Sequence, residues 1–429
     1  MDPEVARAEP ARRLPLFALL AATALSMGGN VLTFVAIPWF VLQTTGSAAK
    51  MGLVGGAETL AAVLAGLFGG PIVDRLGFRR VSVLADLTGG AMVAAIPLLH
   101  GTVGLAFWQL LLLVFLGAFL DTPGVTGRQG LIPDLSGMAG WPVERANSTY
   151  QAIVRSSYLF GPPLAGALIV LMGPGNVLLL DAATFAVSAA LIAAAVPRPA
   201  RAPAAGGTPG GYLAELLGGL SLVRRDALIL SIVVATVVLN ALFSPLFSVI
   251  LPVYADANFG SAVALGTMIG GFGAESLVGA VLFGLVGHRL PRRATLVAGW
   301  VFVGLPFWVL AAEPPLPLSA AALFVTGLAS GPVNPIIFTV VQERAPKEMR
   351  GRVIGVLWAG TLAGSPLGIV LGGLLLELFG LRPLLAGIAA CYLAVTLGML
   401  LNPPLRQMDD PTPGGHGRDV APSERGSER

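Results

Sequence analysis

Long apolar runs alternate with short polar segments along the whole chain, and this alternation predicts its architecture. A run of about 18 or more apolar residues is long enough to cross a bilayer as an α-helix. Twelve such runs can be recognised, and we name them spans 1 to 12. Their predicted bounds are 14–42, 51–73, 81–99, 103–121, 147–172, 177–196, 227–251, 262–287, 294–312, 317–340, 353–379 and 382–402. The pattern predicts an all-α integral membrane protein with twelve transmembrane helices.

The composition agrees with this prediction, and the positions of the charges orient it. The 429 residues are 55% hydrophobic and 11% charged, with a mean hydropathy of +0.81, which excludes a soluble globular domain. All but three of the 26 lysines and arginines lie in the termini or in alternate loops; the exceptions are Lys50, Arg155 and Arg382. Because basic loops remain on the cytoplasmic side, we expect a multi-pass protein of the cell membrane with both termini in the cytoplasm.

A polar linker divides the spans into two sets of six. Residues 197–211 are rich in Ala, Gly and Pro, which is typical of a flexible linker, and the leucines that follow have helical spacing. We predict four segments: a six-helix bundle at 1–196, a cytoplasmic linker with an amphipathic helix at 197–226, a second six-helix bundle at 227–402, and a disordered tail at 403–429.

A motif rich in glycine and arginine connects spans 2 and 3. It reads GGPIVDRLGFRR from Gly69 to Arg80, and a degenerate copy with His288 in place of the aspartate begins at Gly284. Gly70 would allow a second helix to approach closely. Asp74 is an anion that a helix N-terminus could receive, and the arginines suit helix C-termini and lipid phosphates. The alternative is an ordinary basic cytoplasmic loop with incidental glycines.

The pattern Gly-x-x-x-Asp-Arg-x-Gly-x-Arg-Arg resembles the loop between helices 2 and 3 of major facilitator superfamily transporters. The resemblance implies two pseudo-symmetric six-helix bundles, related by an axis along the membrane normal. It also implies a gating motif, formed by Gly70, Asp74, Arg75, Gly77, Arg79 and Arg80.

Span 5 carries a second motif of this kind. Its sequence from Gly161 and Pro162 to Gly166 resembles the Gly-Pro-x-x-Gly-Gly signature of antiporters, with Ala165 in place of the first of the final glycines. Ordinary packing of small residues is the alternative interpretation of this stretch.

Four further phrases narrow the resemblance to one branch. They are RQGLIPDL at 128–135, ERANS at 144–148, DAATF at 181–185 and PKEMRGRV at 346–353. Together they are similar to the third drug:proton antiporter family, which includes macrolide-efflux and enterobactin-exporter-like proteins. The resemblance implies export of an amphipathic small molecule, driven by proton influx.

The same resemblance places a central cavity between spans 1, 4, 7 and 10. Amides and aromatic rings recur on one face of three of these helices, a combination that suits an apolar ligand with a few polar groups. The candidate lining residues are Asn30, Phe34, Asn240, Phe243, Phe247, Asn334 and Phe338. Alternatively, the asparagines form hydrogen bonds between helices and the phenylalanines face lipid or the core.

Several ionisable residues lie at membrane depth, where they are costly to retain. Glu58 lies roughly 10 Å along span 2 from its extracellular end, and its charged form is disfavoured there, as a proton carrier requires. Glu275 in span 8 is the rival, and Asp86 is third because it is predicted near the cytoplasmic interface. Asp181 and Glu377 are expected near the extracellular interface, as solvated or capping residues. The alternative for Glu58 is a structural carboxyl group bonded to a neighbouring helix.

Arg155 is the single basic residue well inside a predicted span. A guanidinium in hydrocarbon must either reach the interface with its long side chain or meet an anion. We expect an ion pair with Asp121 or with Asp86, since all three residues belong to the first bundle.

Other chemistry is not indicated. The sequence has a single cysteine, lacks a Gly-x-x-x-x-Gly-Lys-Ser/Thr nucleotide-binding loop and offers no nucleophile–base pair. We expect no enzyme activity, no cofactor and no metal; the expected partners are a small-molecule substrate, protons and the bilayer, not nucleic acid, with the chain acting as a monomer. A siderophore exporter, a lysolipid flippase, an uncoupled facilitator and a non-transporting sensor that kept the fold remain alternatives.

The gating motif yields a first prediction. Asp74 and Arg75 should hold the cytoplasmic ends of the two bundles together, so Asp74→Asn should fold but transport slowly and populate the inward-facing state. Cysteines introduced into the cavity should be labelled faster from the cytoplasm in this variant. An unchanged labelling pattern would contradict the gating role of Asp74.

Overall fold

A computed structural model describes residues 12–198, 220–345 and 349–408 of the chain, without the side chains at 71, 273–277, 280–282, 286, 288, 351 and 352. Each of the twelve predicted spans is helical. Eleven are long and apolar enough to cross a membrane, and span 8 has a shorter described apolar run, Ala262–Phe272. The predicted twelve-helix membrane architecture is therefore confirmed.

Most spans are single helices, and several extend beyond their predicted bounds because the helix continues into polar flanking residues that apolar runs do not include. Spans 1 to 6 are Leu14–Thr45, Ala48–Leu76, Phe78–Thr102, Phe107–Gly130, Val143–Met172 and Pro174–Ala195. Spans 8, 9, 11 and 12 are Ala262–Val286, Arg292–Ala311, Arg350–Phe379 and Leu381–Leu401. The loop predicted after span 4 is largely helical, with a short helix at Ile132–Ala139.

Spans 7 and 10 are interrupted. Span 7 consists of Ala227–Phe243, a π-helical turn at Leu246–Ile250 and Leu251–Phe259. Pro245 directly precedes the π turn; it lacks the backbone N–H that would continue the α-helical hydrogen bonds. Span 10 consists of Leu316–Ser330 and Val333–Arg344, with Gly331 and Pro332 at the break. Irregular backbone at membrane depth is tolerated where it lines a cavity.

The boundary predicted for the disordered tail is wrong by several residues. Pro403–Arg406 forms a short helix, and Leu405 and Met408 are buried against the second bundle. Their apolar side chains account for this packing, because burial removes them from water. The predicted amphipathic helix lies mostly outside the described residues, as does the rest of the tail, and the division into four segments stays a prediction.

The two bundles meet along two glycine-rich seams. In the first, a Cβ placed on Gly52 of span 2 would lie 3.0 Å from Gly373 Cα of span 11. In the second, a Cβ placed on Gly166 of span 5 would lie 3.0 Å from Val263 Cα of span 8, and a Cβ placed on Gly266 would lie 3.2 Å from Pro163 Cα. Only residues without a Cβ allow backbones to approach this closely.

Both seams lie away from the arginine-rich turns. We call the end of the molecule that carries Arg75, Arg79 and Arg80 the basic end, and the other the opposite end. Toward the basic end, a Cβ placed on Gly70 or on its counterpart Gly284 would have no non-neighbouring atom within 4 Å. The close approach that we expected of Gly70 is therefore not made to any of the described residues in this conformation.

Polar contacts reinforce the opposite end. The Glu377 carboxylate of span 11 accepts hydrogen bonds from Ser47 Oγ at 2.5 Å and from Ala49 N at 2.8 Å, at the start of span 2. Within the second bundle, Glu313 pairs with Arg382, and these hydrogen bonds lower the pKa of Glu313 from its ordinary value. The capping role expected of Glu377 thus joins the two bundles.

The first seam leads to a prediction about closure. Gly373→Leu should prevent the opposite end from closing, because the new side chain would overlap the backbone of span 2; overpacking of this kind typically costs about 1–3 kcal/mol. Ser248, whose Cβ lies 3.0 Å from a Cβ placed on Gly55, reports on the seam. We expect Ser248→Cys, in a Cys391→Ser background, to react faster with an impermeant maleimide applied from the opposite end.

Gly387→Leu is the matched control, because a Cβ placed on Gly387 would have no non-neighbouring atom within 4 Å. Equal labelling rates in the Gly373→Leu and Gly387→Leu variants would show that the seam does not control closure.

Candidate functional site

A cavity of about 450 Å³ lies between the bundles, where spans 7 and 10 are interrupted. Span 5 contributes Arg155, and the other lining residues belong to the second bundle. They are Asn240, Phe243, Phe272, Trp300, Val303, Ser330, Gly331, Val333, Asn334, Pro335, Trp358 and Thr361. The broken segment of span 10 therefore forms part of the wall, as is common for transporter binding sites.

Three of the residues predicted from the sequence line this cavity: Asn240, Phe243 and Asn334. Phe247 lies beside it, with its ring centroid 5.6 Å from Phe243 and 6.4 Å from Phe34 of span 1. These contacts bring rings from both bundles into one cluster beside the cavity. Phe338 is not among the lining residues, and its ring centroid lies 5.8 Å from that of the lining residue Trp358.

Asn30 has a different role from the one predicted. Its amide Nδ2 donates to Asp121 Oδ2 of span 4 at 3.2 Å, so it forms a hydrogen bond between helices. This is the alternative that the sequence left open for the asparagines. Asn240 donates to Thr236 O within its own helix, at 3.0 Å, which leaves its carbonyl oxygen on the cavity side of the amide uncommitted among the described residues.

The predicted pairing of Arg155 is wrong. Arg155 is exposed in the cavity and makes no ion pair among the described residues, whereas Asp86 and Asp121 both face Arg128. The error arose because span 4 continues as a helix beyond its predicted end. Arg128, assigned from the sequence to a cytoplasmic loop, therefore lies inside the first bundle.

Arg128 and Asp86 form a fully buried ion pair. Arg128 Nη1 lies 2.6 Å from Asp86 Oδ1, and both side chains are 0% exposed. Asp86 also accepts hydrogen bonds from Ser188 Oγ at 2.6 Å and from Ser26 Oγ at 3.3 Å. Spans 1, 3, 4 and 6 are thus connected through one carboxylate. Asp86 was expected near the interface, but its partners hold it in the core as a structural anion.

Asp121 is bound less completely. Its Oδ1 lies 3.9 Å from Arg128 Nη2, beyond hydrogen-bond distance, and neither atom has a hydrogen-bond partner among the described residues. Its side chain is 19% exposed. One buried arginine therefore faces two aspartates, of which Asp121 is the more accessible and the less strongly held.

Glu58 makes no hydrogen bond or ion pair among the described residues. It is half-buried on span 2, just beyond the seam glycines Gly55 and Gly56. Glu58 and Asp121 are both within electrostatic reach of the Tyr158 hydroxyl of span 5. The two carboxyl groups thus share one region of the first bundle. Glu275 lies on span 8, and its side chain is outside the described residues.

The gating motif is seen in an open arrangement. Asp74, Arg75 and Arg80 are exposed, and no partner of theirs lies among the described residues. Gly77 has a φ of 80°, a left-handed conformation that favours glycine, and it makes the tight turn between spans 2 and 3. Arg79 donates to Val196 O at 2.7 Å and to Ala193 O at 2.5 Å, which caps the C-terminus of span 6.

The antiporter-like motif lies at the second seam. Gly161 packs against Val31 of span 1, whereas Pro162 and Gly166 face span 8. The small residues and prolines of this stretch allow span 5 to contact both bundles. This geometry is close packing, which both interpretations of the stretch require, the antiporter signature and the ordinary packing of small residues.

Two other buried groups were misjudged or missed. Asp181 was expected near the extracellular interface, but it is 0% exposed and accepts from Thr33 Oγ1 at 2.5 Å, because it packs against Gly29. Trp300 was not considered; it lines the cavity, and its indole Nε1 is buried without a partner among the described residues. A tryptophan in an apolar span carries no signal that distinguishes a cavity wall from a lipid-facing surface.

The buried ion pair leads to a prediction about stability. Arg128→Gln should lower the free energy of unfolding by about 3–5 kcal/mol, because Asp86 would be left as an uncompensated buried charge. The double variant Arg128→Gln/Asp86→Asn should be more stable than Arg128→Gln alone. Thermal unfolding in detergent measures both, with the exposed Arg145→Gln as the control. Unfolding of Arg128→Gln at the wild-type temperature would contradict this account of the core.

The family model of the Major Facilitator Superfamily matches this chain at residues 19–257 and 235–423. The chain is 34% identical over 409 residues to the multidrug efflux pump Tap of Mycolicibacterium fortuitum, covering 93% of this chain and 98% of that protein. It is 33% identical over 400 residues to the multidrug efflux pump Tap of Mycobacterium tuberculosis, covering 92% of this chain and 95% of that protein.

Solved structures share the fold at low identity. The nucleoside transporter NupG superposes with a TM-score of 0.78 at 14% identity, covering 90% of this chain and 98% of that one. A bacterial homologue of the human lysosomal transporter Spinster has a TM-score of 0.71 at 16% identity, covering 94% of this chain and 98% of that one. The chain therefore belongs to the Major Facilitator Superfamily, as its motifs predicted, and it is a transporter rather than an enzyme.

Proposed function

We propose that this protein exports amphipathic small molecules, drugs among them, by proton-coupled antiport across the cell membrane. The observation that carries the proposal is the cavity between the bundles, lined by aromatic rings and two asparagines. Such a lining accepts ligands of varied shape that combine an apolar body with a few polar groups. The two mycobacterial relatives are named multidrug efflux pumps, which supports export of the same broad class.

The orientation follows from the charges. The positive-inside rule places the basic end, and with it both termini, in the cytoplasm. The seams then close the extracellular side, so this conformation is inward-facing and the cavity loads from the cytoplasm. Export requires the reverse arrangement, in which the seams open and the motifs at Asp74 and Arg75 bring the cytoplasmic ends together.

Glu58 is the proposed proton carrier. It is half-buried, lies at the inner edge of the first seam and has no hydrogen-bond or ion-pair partner among the described residues. A structural carboxyl group at this depth would need such partners, so their absence here favours titration. A group beside the seam can also couple its charge to seam opening, since an ionised carboxylate is disfavoured when apolar surfaces close around it.

Proteoliposomes test transport and coupling together. Purified protein should drive efflux of at least one of the dyes rhodamine 123, ethidium and fluorescein when a proton gradient is imposed, and the rate should fall when the gradient is collapsed. Glu58→Gln keeps the shape of the side chain but cannot titrate. We expect it to bind the transported dye normally and to lose at least about 90% of gradient-driven efflux.

Glu144→Gln is the control, because Glu144 is exposed in the first turn of span 5, away from the cavity. Failure of the wild-type protein to move any of the dyes would contradict the proposed function. Wild-type rates in Glu58→Gln would contradict its role alone, and Asp121→Asn and Glu275→Gln would be the next variants to examine.

A further inference from the structure

We infer that the cavity selects ligands that carry an anionic or strongly hydrogen-bond-accepting group, and that Arg155 and Trp300 recognise this group. The inference rests on the proposed function and specifies its substrate class. It follows from two groups of the described cavity wall that can only donate, a guanidinium without an ion-pair partner and a buried indole N–H.

Arg155 is the only charged side chain among the thirteen residues that line the cavity. It stands about one helical turn from Leu159, whose carbonyl oxygen lies 3.3 Å from a Cβ placed on Gly270 in the second seam. The backbone of Arg155 therefore lies close to the second seam, and its side chain lines the cavity. No carboxylate among the described residues pairs with Arg155, because Asp86 and Asp121 both face Arg128.

A guanidinium in this position is left with five N–H donors and a positive charge. Water in the open cavity can solvate it in the inward-facing state. When the cavity closes around a ligand, that water is expelled, and an unpaired charge at membrane depth becomes costly. A ligand with a carboxylate, sulfonate or ionised phenol would offset this cost through a charge-assisted, bidentate hydrogen bond.

Trp300 is an independent observation that indicates the same ligand chemistry. Its side chain lines the cavity, it is 6% exposed, and its Nε1 has no hydrogen-bond partner among the described residues. An indole N–H can only donate, so the group that satisfies it must be an acceptor. Buried donors without a partner are uncommon in folded proteins and typically meet a ligand or water.

The other polar side chains that line the described wall are neutral amides and hydroxyl groups. Ser330 Oγ donates to Gly327 O at 2.7 Å, and the Asn240 amide donates to Thr236 O at 3.0 Å. Glu58 and Asp121 lie in the first bundle and do not line the cavity. The described part of the wall therefore offers one cation, one buried indole donor and several aromatic faces beside neutral polar side chains, a combination that suits a flat aromatic anion.

Two xanthene dyes of similar shape and opposite charge test this selectivity. Fluorescein is an anion and rhodamine 123 a cation at pH 8, and fluorescence anisotropy measures binding of each to the purified protein in nanodiscs, without any gradient. The wild-type protein should bind fluorescein at least about tenfold more tightly than rhodamine 123, a difference of about 1.4 kcal/mol.

Arg155→Gln should weaken fluorescein binding at least about tenfold and leave rhodamine 123 binding within twofold, and Arg155→Lys should retain part of the preference, because its charge remains but its bidentate geometry is lost. Trp300→Phe should weaken fluorescein binding about threefold, as expected for the loss of one hydrogen bond. Arg145→Gln, in the same helix but stacked on Trp141 outside the cavity, should change neither affinity.

Equal affinity for the two dyes in the wild-type protein, or an unchanged preference in Arg155→Gln, would overturn the inference while leaving the proposed efflux intact. Conversely, selective binding that is followed by no efflux under a proton gradient would contradict the proposed function and preserve the selectivity. If neither dye binds, the cavity is not a site for such amphiphiles and the inference is wrong.

Discussion

The close contact of backbones at the two glycine seams is the interaction on which the rest of this structure depends. Spans 2 and 11 meet at Gly52 and Gly373, and spans 5 and 8 meet at Gly166 and Gly266. Because no Cβ separates the helices, the bundles touch backbone to backbone, and the cavity ends where the contact begins.

The charged groups of the first bundle fall into two sets, one buried and paired and the other incompletely partnered. Arg128 and Asp86 lie deep in the first bundle, where serines from two other spans also donate hydrogen bonds to Asp86. This pair keeps the bundle rigid. Glu58, Asp121 and Arg155 lie nearer the surface between the bundles and are incompletely partnered among the described residues. A rigid first bundle that carries incompletely partnered charged groups fits a mechanism in which protonation and ligand binding alter the relative stability of two arrangements of the bundles.

The sequence was sufficient to predict the fold, because membrane helices are encoded by the lengths of their apolar runs. It also identified Asn240, Phe243 and Asn334, since amide and aromatic side chains at helical spacing indicate a shared face. The pairing of charges was not predictable in the same way. Arg128 follows a Pro and two Gly residues and reads as a loop residue, yet neighbouring helices bury it and supply its partners. Whether a polar residue in a helix is structural depends on contacts with other spans, which periodicity does not specify.

The proposed export requires that the two bundles rock about the cavity, so that one end opens as the other closes. Electron–electron distance measurements on two spin-label pairs, in a Cys391→Ser background, test it most directly. One pair joins Leu76 and Leu290 at the basic end, and the other joins Lys50 and Leu378 at the opposite end; all four positions are exposed. When a transported dye and alkaline pH are applied, Glu58 ionises and disfavours the closed seam, so the distance at the basic end should shorten while the distance at the opposite end lengthens. If neither distance changes, or both change in the same direction, alternating access about these seams is contradicted.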